Sequence, residues 1–310
     1  MIRRSCFVSI LLLCALMNLS CTCLAWSDEF APGRRAGVLE TDQVAEASGI
    51  VASRQNAGVL WVHNDSGDSA RLFAIATDAK LLGICAIQGA SARDWEDVAI
   101  GPGPEPDEHC LYIGDIGDNL GVRPSVRVYR VREPQVDATR PFGWMSVGPV
   151  ETIELTYPDG ARDAETLLLD PQTRDLYIIS KREFFNRVYR AGYPQSTTAR
   201  TKLERVTTLP WGFAVAGDVS PDGGEVIVRG PYNASIWRRP AGQPLWRAFQ
   251  QKPVGIPLMG EPQGEGIAFD AKGQGYYTIG EMSAPPLFYF ARSPKANGRR
   301  LSDPYPSPLP

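Results

Sequence analysis

Asp163-Ala164-Glu165-Thr166-Leu167-Leu168-Leu169-Asp170 and, further along, Gln263-Gly264-Glu265-Gly266-Ile267-Ala268-Phe269-Asp270 align as two copies of one unit. Each octad runs into a turn, Pro171-Gln172-Thr173-Arg174 or Ala271-Lys272-Gly273-Gln274, and then into an aromatic-rich strand, Leu176-Tyr177-Ile178-Ile179 or Gly275-Tyr276-Tyr277-Thr278. A buried strand, a tight turn and a second strand make a hairpin. The same plan starts near Ser48-Gly49-Ile50, near Asp94-Trp95-Glu96-Asp97-Val98, and near Val215-Ala216-Gly217-Asp218, which precedes the turn Ser220-Pro221-Asp222-Gly223.

Five starts, spaced about 45 to 70 residues apart, fit four strands per propeller blade better than a solenoid repeat. The expected fold is therefore an all-β, five-bladed β-propeller, with a sixth, degenerate blade inside the long second copy as the alternative. The fifth copy reaches only three strands, ending at Leu287-Phe288-Tyr289-Phe290-Ala291, while Val38-Leu39-Glu40-Thr41 has no hairpin partner. That N-terminal strand is expected to complete the last blade and close the ring, which removes sheet edges that would otherwise pair with other chains.

In a blade, the start of the first strand and the end of the second meet on one face. Strand starts there supply Glu46, Asp94, Glu96, Asp97, Asp163, Glu165 and Glu265; strand ends supply His63, Asn64, Asp65, Asp68, Asp115, Asp118, Asn119, Lys181, Arg182, Arg229 and Glu281. Carboxylates crowded at a channel mouth repel one another, which raises their pKa values or calls for a cation. Calcium (Ca2+) takes oxygen ligands from Asp, Glu and Asn without needing His or Cys. Glu96, Glu165 and Glu265 are the expected ligands. Asp94, Asp163, Lys181 and Arg229 are the expected catalytic groups, the two cations holding an anionic substrate. Turn-building by Asn64-Asp65-Ser66-Gly67-Asp68 and internal ion pairing of Lys181 and Arg229 are the competing structural explanations.

The chain has 310 residues and only two histidines, His63 and His109. Together with the lack of His-Glu-x-x-His or Cys-x-x-Cys spacing, this argues against zinc. There is no Gly-x-Ser-x-Gly elbow and no phosphate-cradling glycine loop. Arg3 and Arg4, the apolar run from Phe7 to Leu19 and the small-residue end Cys23-Leu24-Ala25 form an export-leader pattern. We divide the chain into a signal peptide at 1–25, a linker at 26–36, the propeller at 37–292 and a Pro-rich disordered tail at 293–310. The expected location is secreted or periplasmic, with lipid anchoring through Cys21 or Cys23 as a weaker alternative. No stretch is long and apolar enough for a transmembrane helix.

Removing the leader takes 32 basic residues to 30 against 35 acidic ones, so the mature chain is acidic and lacks the basic stripe that nucleic acid requires. Cys85 and Cys110 would be the remaining cysteines, free to form a disulfide or to stay as buried thiols.

Glu165 to Tyr177 resembles a blade of calcium-dependent gluconolactonase and regucalcin-type propellers, and Glu265-Gly266-Ile267 resembles blades of phytase-like esterase propellers. The mature chain also resembles secreted bacterial propellers of uncharacterised function, through Trp61–Asp68, Leu111–Asn119 and Asp163-Ala164-Glu165. The lactonase resemblance implies a calcium ion near the channel mouth, in a role that Glu165 or Glu265 with Asn64 and Asp115 would fill. The resulting expectation is a calcium-dependent hydrolase of esters, lactones or phosphoesters. Its alternatives are a non-catalytic propeller binding an extracellular or envelope partner and a glycoside hydrolase using paired carboxylates, with Trp95 and Tyr232 as sugar platforms.

Overall fold

The computed structural model describes residues 28–293. The leader and nearly all of the Pro-rich tail lie outside the described residues. After β1 (Arg34–Val38), blade 1 is built from β2 (Ala47–Ala52), β3 (Val59–Asn64), β4 (Arg71–Ala76) and β5 (Leu81–Ile87). Blade 2 takes β6 (Trp95–Pro102), β7 (His109–Asp115), β8 (Val126–Arg132) and, after β9 (Gly143–Val147), β10 (Glu151–Thr156). Blade 3 takes β11 (Ala164–Leu169), β12 (Leu176–Ser180), β13 (Arg187–Ala191) and, after β14 (Thr201–Lys202), β15 (Glu204–Thr208). Blade 4 comprises β16 (Ala216–Val219), β17 (Glu225–Arg229), β18 (Ala234–Arg238) and β19 (Val254–Gly255), and blade 5 comprises β20 (Gly264–Phe269), β21 (Gly275–Gly280) and β22 (Pro286–Ala291).

These are five blades, and the ring is closed by β1, which pairs antiparallel with β22 and places Arg34 opposite Tyr289 and Val38 opposite Pro286. The closing strand therefore lies three to four residues before the expected Val38–Thr41 segment, partly inside the stretch assigned as linker. Phe30 adds a further bridge to Arg292 and buries its ring edge-on to Tyr276. The length of the second copy has a different cause from a sixth blade: β9 leaves blade 2 and adds in parallel to the outer strand of blade 1. In the same way β14 leaves blade 3 and adds to β10 of blade 2. Each covers a neighbour's edge.

The innermost strands are buried on both faces, so they read as apolar runs instead of alternating ones. Apolar clusters fill the spaces between blades. Val51, Trp61, Trp95 and Leu111 pack between blades 1 and 2; Leu168, Tyr177, Val228 and Trp237 pack between blades 3 and 4; Ile50, Phe73, Ile279 and Leu287 join blades 5 and 1. Cys85 and Cys110 sit in different clusters as separate buried thiols, each with its pKa pushed up to about 12 by burial.

Two buried acids tie inner strands together. Asp97 accepts from the backbone N–H of Leu167 in blade 3 (3.0 Å) and of Gly217 in blade 4 (3.3 Å); Asp218 accepts from Phe269 N–H in blade 5 (2.9 Å). Asp97 is thus a staple inside the ring instead of a member of the open face. A carboxylate that satisfies otherwise unpaired amides fixes blade against blade.

Candidate functional site

The first strand of three blades begins with the same irregularity. Trp95 faces Asp115 but Asp97 faces Gly114, so Glu96 is an extra residue in β6. Ala164 faces Ser180 but Thr166 faces Ile179, making Glu165 the extra residue in β11. Gly264 faces Gly280 but Gly266 faces Ile279, and the extra residue is Glu265. A bulge re-aims the side chain it inserts, and here it does so to a glutamate each time. Blade 1 carries a bulge with Ser48 and Gly49 in place of an acid, and blade 4 keeps an unbroken register from Ala216 opposite Arg229.

Around this frame, oxygens of Asp65, Asp94 and Glu96 lie within 4.8 Å of one another, and oxygens of Glu96, Asp163 and Glu165 form a second such group. Glu96 is common to both. Asp94 and Asp163 come from the turns entering β6 and β11, and Asp65 follows β3. The expected ligands Glu96 and Glu165 are therefore brought together, with Asp65, which the expected ligand set lacked. Glu265 occupies the equivalent bulge but belongs to neither group.

Electrostatics follow from the crowding. Burial, then the charges of Glu165, Asp65, Asp94 and Asp163, raises the Glu96 pKa well above the usual carboxylate value. Burial and the neighbouring Asp65 and Asp163 bring Asp94 to about 6. Glu165 is pushed up to about 8 by burial against the opposing pull of Lys181, with Glu265 and Asp163 adding to the rise. Glu281 reaches about 7 through burial and the nearby Glu265, Asp65 and Glu46. Lys181 contacts both oxygens of Glu165; burial works against its ammonium, but Glu165, Glu265 and Glu96 raise its pKa. Arg182 Nε donates to Asp163 Oδ2 at 2.6 Å and a guanidinium N–H also meets Asn119. Five carboxylates thus meet two cations.

Three expected site residues are engaged elsewhere. Asn64 donates to Gln43 O and Asp68 Oδ2, both at 2.7 Å, and accepts from Glu46 N–H at 3.3 Å; it fastens its own loop. Asp115 Oδ1 pairs with the buried Arg123 at 2.9 Å and accepts from Asp94 N–H at 3.3 Å, so it braces the turn that carries Asp94. Arg229 is fully buried, bound through Nη1 to Glu261 Oε2 (2.8 Å) and Gly266 O (3.0 Å), while Thr278 hydroxyl holds the other Glu261 oxygen (2.5 Å). That makes Arg229 a structural ion pair with no exposed face for a substrate. Burial lowers the His63 pKa to about 4, and its Nδ1 lies 2.8 Å from Asn64 O.

Two observations bear on a metal. The donor set is all oxygen, which suits a hard cation. Gly117 packs directly over the acids: a Cβ there would collide with Glu96 Oε1 and lie 2.5 Å from Asp94 Oδ2. Next to this cradle, Asp115 Oδ2 is buried without a partner.

Among the described residues, no helix is long and apolar enough to cross a membrane. No family model matches the chain, and no curated protein matches it in sequence. Among solved structures, the WD40 domain of Pan2 from Neurospora crassa is similar, with a TM-score of 0.45, 9% identity, and coverage of 86% of this chain and 97% of that one.

Proposed function

We propose that this protein is a hydrolase of anionic esters, with lactones and phosphoesters included, that depends on a divalent cation of the calcium class and acts outside the cytoplasm, where the leader pattern would direct it. The observation that supports this most is the convergence of Asp65, Asp94, Glu96, Asp163 and Glu165 on one small volume at the channel mouth. Asp65, Asp94 and Glu96 have no cation of their own among these contacts and would hold the ion. When bound, such an ion polarises an ester oxygen and makes water more acidic.

The chain's own groups would do the rest. Glu165, pushed up to about 8 by burial and held by Lys181, would keep a proton at neutral pH and supply it to a leaving oxygen. Arg182, half-exposed and tied to Asp163, would orient an anionic group at the rim. Asp163 holds the Asp118 N–H at 2.9 Å, which fixes the loop above it.

Calorimetric titration of Ca2+ into chelator-treated protein, followed by an ester, lactone and phosphoester panel with and without the ion, tests this. Binding that is weakened about tenfold or more by Glu96→Gln, together with ion-dependent turnover, is the expected result. Binding without turnover would leave a recognition propeller, and no binding would overturn the reading. The approach of Glu96 and Glu165 oxygens also favours a second reading, acid–base cleavage of a glycosidic bond, whose turnover would survive chelation.

A further inference from the structure

Large apolar side chains are exposed almost wholly on one face. Leu120, Val122, Phe184, Phe185, Phe213, Tyr232 and Met282 are all exposed, and each lies in a loop on the side where first strands start and second strands end. Trp144, on β9, and Met259, which lies beside Gly33 and Phe290, are the exceptions among the described residues. Scattered apolar residues need no explanation, but a one-sided set around a polar mouth does.

The densest part stands on blades 3 and 4. Phe184 is 93% exposed, Tyr232 85%, Phe185 61% and Phe213 57%. Their three loops interlock: Phe213 N–H donates to Lys181 O at 2.9 Å and Asn186 N–H to Trp211 O at 3.1 Å. Gly212 is packed against the Glu183 and Phe184 carbonyls, and Gly230 against the Phe213 carbonyl. Phe213 has φ of 62°, a left-handed conformation that is strained for a bulky residue, and its ring is exposed. The platform is continuous with the candidate site, because its first loop begins with Lys181 and Arg182, which hold Glu165 and Asp163. Across the face the order is acids on blades 1 and 2 and at the start of β11, two cations on the β12–β13 loop that pair with the β11 acids, then aromatics on the outer loops of blades 3 and 4.

We infer that Phe184, Phe185, Phe213 and Tyr232 form a subsite for the apolar part of an amphiphilic ester, an aryl ring or short acyl chain, whose anionic group meets Arg182 and the acid-held cation. This rests on the hydrolase reading for the ester, and on the platform's polarity for the apolar part. A ligand with its charge at one end and its apolar chain at the other matches that order, whereas a uniformly polar ligand leaves the rings in water.

The probes are hexylphosphonate and methylphosphonate, non-hydrolysable and differing only in chain length, titrated calorimetrically in Ca2+. Wild type is expected to bind hexylphosphonate about tenfold or more tightly than methylphosphonate, and the ratio should fall towards one in Phe184→Ala/Tyr232→Ala. Trp144→Ala, remote from the platform, should keep the wild-type ratio. Phe213→Gly is the second variant: it removes both ring and strain, so melting temperature should hold or rise while the ratio falls. Equal affinity for the two probes in wild type would overturn the inference, as would dimerisation in sedimentation that the same substitutions abolish, since a second copy would then cover the rings. Failure of turnover with the chain-length preference intact would sink the hydrolase alone.

Discussion

Glu96 lies between acids from two directions, Asp65 and Asp94 on one side and Asp163 and Glu165 on the other, and Gly117 is the residue that lets this happen. Its missing side chain leaves room for Glu96 Oε1 and the Asp94 carboxyl. Gly117→Ala should displace both carboxylates and weaken Ca2+ binding about tenfold or more, with a stability cost of about 1 to 3 kcal/mol at most; unchanged calorimetric affinity would show that the cradle is not used. Arg229 teaches the opposite lesson. A basic residue at the end of a second strand reads as a substrate ligand, but burial with Glu261 and Thr278 takes it out of solvent, and only the fold reveals the loop that supplies Glu261.

Strands that carry a glutamate bulge set the site, and the strand that closes the ring sets its rigidity. Gly37 in β1 lies against the Asp78 carbonyl in the turn after β4, where a Cβ would collide with backbone. Gly37→Val should lift the closing strand from that turn and cost about 1 to 3 kcal/mol, seen as a lower denaturant midpoint with an unchanged slope. The hairpin repeat and its closure by an N-terminal strand were legible in the sequence, because turn residues and apolar runs recur at near-constant spacing. The closing segment was displaced because Arg34 and Arg35 look like solvated linker, although they pair with Phe288 and Tyr289. The aligned glutamates could be read, but not the bulges that aim them: an extra residue shows only against its partner strand. Asp65 looked like turn chemistry, and its place beside Asp94 depends on blade 1 meeting blade 2, which no local pattern encodes.

For the molecule as a whole, the acidic mouth links stability to pH and cation. A carboxyl whose folded pKa exceeds its unfolded value gives stability that is complete below the unfolded value and lost as pH rises through the folded one. Glu281 at about 7 and Glu165 at about 8 act this way. His63, lowered to about 4, has the opposite slope, but only below its unfolded value of about 6.5. Between about pH 6.5 and 8 the carboxyls act without that opposition, so the melting temperature of chelator-treated protein should fall across this window. Excess Ca2+ should raise it more at pH 8 than at pH 6.5, because protons compete with the ion. A flat melting profile in scanning calorimetry would contradict the raised values.

Closure by β1 on β22 also orders events in time. During synthesis the first strand emerges long before its partner and waits through all the intervening blades until Pro286–Ala291 appears. Blade-to-blade packing can accumulate as the ribosome advances, but the circle is sealed only when β22, the last strand among the described residues, has been made. A ribosome stalled before that point would hold an open arc with two bare edges, so the emergence of β22 is when the propeller ceases to offer unpaired edges to other chains.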